Sequence, residues 1–332
     1  MAAIKSYKGF DKNLKCRDFQ YEIGKEYEMD GKIRVCSRGF HACESPFEVF
    51  DHYSMIGSRF CEVEQDGNIS KEDRGTKICS SKIKIKAELK LADMINLGVE
   101  WLKEITSPEK IKTSIKDNSS GNDAKIGSSG DGAKIGSSGN DAKIGSSGDD
   151  AKIGSSGDGA KIGSSGNGAQ IGSSGYGAKI GSSGYGAKIG SSGDGAQIGS
   201  SGYGAQIGSS GYGAKIGSSG YGAKIGSSGD DAKIGSSGND AKIGSSGNDA
   251  KIGSSGDDAK IDSTGEDCVI MCAGINSVAK ASKGSWITLS EWSYSDEKKR
   301  YIPICVKTEF VDGEKIKEDT YYKLEGGVFK EV

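Results

Sequence analysis

The chain has 332 residues, 34% of them hydrophobic, with 54 Gly against 3 Pro and a formal net charge of -2. The glycine excess departs from an ordinary globular composition, and a charge so near neutrality argues against generalised nucleic-acid binding. The charged start MAAIKSYKGF lacks the apolar core of a secretory signal, and no run approaches the roughly eighteen apolar residues of a membrane span, which implies a cytoplasmic protein without a membrane partner.

Residues 1–110 read as an α+β domain. RFCEVE from Arg59 and KICSSKIKIKAEL from Lys77 to Leu89 alternate in the strand sense. ESPFEVFDHY reads as a short helix, with Ser45 as its cap, Pro46 in the first turn and Glu48 completing a capping box. From Leu91, the apolar residues Met94, Ile95, Val99, Leu102 and Ile105 recur at helical spacing, and Thr106, Ser107 and Pro108 favour its end.

Eight cysteines, at 16, 36, 43, 61, 79, 268, 272 and 305, form no C-x-x-C pair and suit reduced thiols better than a disulfide framework. Cys36, His41, Cys43 and His52 are the residues that could complete a zinc tetrahedron, but their spacing fits no standard finger. Buried thiols and ordinary histidines account for them, so no cofactor or metal is expected. An enzyme reading starts from YKGF, GFHACESP and FCEVE, which loosely resemble ADP-ribosyltransferase-like folds. That likeness would make Tyr7, His41, Glu62 and Glu64 candidates, with an acidic group stabilising oxocarbenium-like charge.

Residues 115–284 are a nonapeptide repeat in which Ala recurs every nine residues from Ala124 to Ala259. In Ala-Lys-Ile, Ala and Ile fall on one face of a strand and Lys on the other, while Gly and Ser allow bends between strands. A flexible linker has no need of Ile at every ninth place. Burying one Ile returns only about 1.5 to 3 kcal/mol, far below the ordering cost of nine residues, so a single repeat cannot stand alone. The spacing therefore predicts a parallel β-solenoid of about two repeats per coil, roughly nine coils long, in a mainly β chain. Residues 285–332, with SWITLSEW and YYKLEGGVFKEV, read as a β-rich cap over its last coil.

GSSGNDAKI is similar to the calcium-binding nonapeptide, which leaves a calcium-binding β-roll as an alternative. However, its large apolar residue comes one place late, and Gly replaces the Asp from Gly159 through Gly222. The charge varies along the repeat. Residues 123–158 hold six Asp and four Lys, residues 159–229 one Asp and five Lys, and residues 230–260 six Asp and four Lys. Tyr176, Tyr185, Tyr203, Tyr212 and Tyr221 lie in the middle zone with Lys179, Lys188, Lys215 and Lys224. Together they form the expected binding surface. Aromatic residues in a basic zone suit a macromolecular partner, protein ahead of single-stranded nucleic acid, and the near-symmetry permits a homodimer.

The motifs YKGFDKNLKC and GFHACESP, followed by nonapeptides and a SWITLSEW to YYKLEGG terminus, resemble an uncharacterised family common in phages and prophages. The resemblance implies a mobile-element origin and a bacterial host cytoplasm, where obstructing a host defence nuclease is a suitable context. It supplies no catalytic residue. The reading is a non-enzymatic binding or scaffolding solenoid.

Overall fold

The computed structural model describes residues 3–35, 37–54, 57–72, 76–105, 118–119 and 121–332. The chain divides into two compact units, Met1–Trp101 and Leu102–Val332.

In the first unit, β1 (Ile4–Phe10), β5 (Phe40–Cys43), β6 (Arg59–Lys71) and β7 (Lys77–Leu89) close on themselves, because β1 pairs with both β5 and β6 and β7 pairs with both as well. A two-strand ribbon, β2 (Lys15–Cys16) with β3 (Phe19–Gln20), follows β1, and β4 (Glu26–Glu28) adds to the edge of β7. The alternation read from the sequence places Ile83 and Ile85 of β7 inside with Phe10, Phe40 and Val63. A helix α1 (Leu91–Ile105) follows, with Met94, Ile95 and Val99 buried. Gly98 permits its close approach to Phe47, whose ring a Cβ there would overlap.

The expected capping box does not form. Phe47–Asp51 is a 3-10 turn without a side-chain cap, and Glu48 instead accepts hydrogen bonds from the backbone and hydroxyl of Thr76 at 2.6 and 2.7 Å. A charged acceptor bonded to two donors of one residue just before β7 outweighs a local cap. The expected helix end at Thr106–Pro108 lies outside the described residues.

The second unit is a parallel β-solenoid of about nine turns over residues 125–289. Each nine-residue unit supplies one strand, and strands eighteen residues apart pair in register, as Lys161, Lys179 and Gln197 do. Alternate units thus build two sheets. We call the 11-stranded sheet that carries Ile180 the front and the 12-stranded sheet that carries Ile189 the back. Ala and Ile columns from both sheets fill the space between them.

The strand runs through Lys-Ile-Gly-Ser rather than ending after Ile, so the first Ser belongs to it and points inward. The bend falls later, at the Gly-x-x that precedes each Ala. Counting Ala as the first position, the seventh is a glycine packed against the coil before it, so that a Cβ on Gly184 would overlap the carbonyl oxygen of Gly166. The ninth adopts a positive φ, 65° at Gly186 and 56° at Asp240, which favours Gly and is tolerated by Asp.

Antiparallel hairpins finish both sheets. Trp286–Ser295 continues the front sheet and pairs with Arg300–Phe310, while Tyr322–Glu325 joins the back sheet and pairs with Val328–Glu331. Val311, Ile316, Tyr322 and Leu324 fill the end of the core.

Candidate binding edge of the solenoid

The eighth position of the repeat lies at the tip of each bend, where its side chain has a backbone duty. At Asn140 the side-chain Oδ1 accepts the backbone N–H of Asp158 at 3.0 Å, one coil further on. Asp158 does the same for Tyr176 at 2.8 Å, and Asn167 for Tyr185 at 2.9 Å. Beyond the middle zone the ladder resumes, with Asp230 serving Asn248 and Asn239 serving Asp257. The Asp of the calcium reading is the next residue, the ninth position, and takes no part in this ladder. Among the described residues no cluster of three potential metal-ligating side chains occurs.

Tyrosine breaks this ladder. Its own N–H donates to an Asn or Asp one coil behind, as at Tyr176, Tyr185 and Tyr212, but it carries no oxygen near its backbone to offer the next coil. In exchange, Tyr185, Tyr203 and Tyr221 stack, with ring centroids 5.2 and 5.1 Å apart and planes within 12°. The three stay between 48% and 61% exposed, so the stack is presented to solvent rather than used as core. The Tyr221 phenol has its pKa raised by a hydrogen bond to Asp240, and the Tyr212 hydroxyl is raised likewise by Asp231.

The structure divides the residues expected to form one surface. Tyr185, Tyr203 and Tyr221 share the bend leading into the back sheet, with Lys188 and Lys224 on the strands that follow. Tyr176 and Tyr212 lie on the other bend, separated by Asp194, and lead to Lys179 and Lys215 on the front sheet. A nine-residue step moves the chain to the opposite sheet, so a basic zone in sequence becomes two rows on two faces. Lys161, Lys179, Gln197, Lys215 and Lys233 line a shallow trench along the front, floored by glycines such as Gly181.

Sequence reasoning missed an apolar patch at the capped end of the front sheet. Val269 and Met271 take the outward places that Lys and Gly hold elsewhere. Trp286 pairs with Val269 on one side and Phe310 on the other, and all four side chains are exposed. The outward V-x-M alternation is the signal that would have found it.

In the first unit, Tyr7 and His41 line a common pocket, but Glu62 and Glu64 do not. They pair with Lys5 at 2.8 Å and Lys86 at 3.0 Å. His41, Cys43 and His52 line the same pocket, while Cys36 lies outside the described residues, so the zinc constellation is not assembled among them.

Residues 4–97 match the family model described as Domain of unknown function (DUF7666). No curated protein and no solved structure matches the chain. The DUF7666 domain therefore covers β1 to β7 and the first half of α1, and the solenoid lies wholly outside it. No helix among the described residues is long and apolar enough to cross a membrane.

Proposed function

We propose that the solenoid is a non-enzymatic scaffold whose stacked edge, Tyr185, Tyr203 and Tyr221, docks a protein partner. The observation that carries this reading is the loss of the Asn/Asp acceptor at three successive coils in favour of exposed rings. Asn sits at the same position on either side, at Asn167 and Asn239, and would serve the backbone better. Stability alone does not account for the exchange, whereas aromatic anchors suit a protein interface.

The ring spacing favours protein over single-stranded nucleic acid. A base inserted between two rings needs two stacking separations of about 3.4 Å, or about 7 Å. At 5.1–5.2 Å the rings already occupy one another's faces, leaving edges and hydroxyls as the contact surface. The likeness to phage and prophage proteins supports a bacterial partner, with a defence nuclease as the class to test first.

The decisive experiment compares wild type with Y185N/Y203N/Y221N in pull-downs from bacterial lysate and against purified defence nucleases. Loss of bound protein, with unchanged circular dichroism, is the expected result. Equal capture by a folded variant overturns the reading. Light scattering of both proteins tests whether the partner is a second copy of this chain.

A further inference from the structure

The DUF7666 domain holds a pocket of about 900 Å³ whose floor contains an unusual amine. Lys8 is 3% exposed, and its hydrogen-bond partners are a carbonyl, a phenol and a thiol. It donates to the carbonyl oxygen of His41 at 3.0 Å, to the Tyr53 hydroxyl at 3.4 Å and to Cys16 Sγ at 3.5 Å. Cys16 and Tyr53 are themselves 3.0 Å apart. No carboxylate is within ion-pair distance of Lys8 among the described residues. Gly9 makes the arrangement possible, because a Cβ there would overlap the ring of Tyr53.

We propose that this pocket takes small aldehydes or ketones and that Lys8 captures them as a Schiff base, with Tyr53 as the proton donor. A buried amine with no carboxylate beside it favours its neutral form, which is the nucleophilic one. Burial lowers the Lys8 pKa, with the neighbouring Cys16 opposing in part. Burial also raises the Tyr53 pKa, so its phenol keeps the proton it must deliver.

The Nζ lone pair forms a bond to the carbonyl carbon, and the carbonyl π pair moves to oxygen, which takes the Tyr53 proton. Nitrogen loses one proton to the phenolate. The resulting carbinolamine then expels its hydroxyl, protonated again by Tyr53, as water, leaving an iminium. No oxidant is needed. Positive charge develops on Nζ in this last step, where the rings of Phe10, Tyr21 and Tyr53 have their centroids 5.4–5.8 Å away. Their faces attract cations and would steady the charge of the iminium. The walls, which include Tyr7, Tyr27 and Phe40, favour a carbonyl compound with a planar apolar body.

The test treats the full chain at neutral pH with benzaldehyde or pyruvate and sodium cyanoborohydride, then maps reduced adducts by tandem mass spectrometry. Lys12 and Lys15, both exposed, are internal controls. Lys8 is expected to acquire benzaldehyde at least tenfold faster than either and to prefer it over pyruvate. Tyr53→Phe, which keeps the ring, is expected to slow Lys8 labelling tenfold or more, and Lys8→Arg to abolish it. Labelling of Lys8 in wild type no faster than Lys12 overturns the proposal whatever the variants do. An unchanged rate in folded Tyr53→Phe also overturns it.

Discussion

The Oδ1 atom of Asn167 accepts the backbone N–H of Tyr185 across one coil, and Tyr185 has no atom with which to do the same for Tyr203. Each tyrosine at the eighth position therefore ends a chain of side-chain to backbone bonds. Tyr176 isolates this cost, because its neighbours along the edge are Asp158 and Asp194 rather than other rings. Tyr176→Asn is expected to return an acceptor to Asp194 and raise stability by about 0.5–1.5 kcal/mol. Thermal unfolding measures it, and a lowered midpoint would give the ring a structural role instead.

Two glycines of one unit should respond oppositely to alanine. Gly184→Ala would drive a Cβ into the Gly166 carbonyl, a backbone atom that cannot swing aside, and is expected to lose about 1–3 kcal/mol. Gly181 faces outward with nothing within 4 Å of an added Cβ. Gly181→Ala should be neutral or stabilise by about 0.4–1 kcal/mol through the unfolded chain. Equal melting temperatures for the two variants would contradict the coil-to-coil packing.

The inward serines form a column of buried hydroxyls. Ser164, Ser182 and Ser200 in the front sheet have Oγ atoms with no hydrogen-bond partner among the described residues. An unpaired buried polar group costs about 1–3 kcal/mol, so Ser182→Ala should raise the unfolding midpoint rather than lower it. A loss of stability would reveal a partner for the hydroxyl, water included.

Asp262 takes a place that Gly holds in Gly244, one coil earlier. Its pKa is raised above the ordinary value of 3.8, by burial first, with Lys280 at 3.4 Å opposing. Between 3.8 and that raised value the folded chain holds a proton that the unfolded chain has released. Raising the pH through this window therefore removes stability. The stability of wild type relative to Asp262→Gly is expected to fall as pH climbs from 3.5 to 7. Denaturant unfolding at intervals across that range checks the sign, and a constant or rising difference refutes it.

What the sequence disclosed, and what it hid, follows from distance along the chain. Ile180 in and Lys179 out is a one-residue relation, and KICSSKIKIKAEL becomes a strand with the expected bounds because alternation is local. The bond from Asn167 to Tyr185 joins residues eighteen apart, and its meaning appears only once the coil length is fixed. The capping box failed because Thr76, far along the chain, competes for Glu48. Lys8, Cys16 and Tyr53 share no spacing that a motif could record, and only the closing of β1 onto its neighbours brings them together.

The two-sheet construction gives the repeat a parity. Every unit stacks on the one two places before it, so removing eighteen residues shortens the rod by a whole coil and leaves each later side chain on its former edge. Removing nine turns everything downstream by half a revolution. Loss of the unit containing Asp194 would still allow Ile to stack on Ile, but it would reassign Tyr203 and Tyr221 to the edge of Tyr176 and leave Tyr185 facing Tyr212 on the other. Even and odd changes in repeat number are thus different mutations, the first altering reach and the second rewriting which residues are presented together.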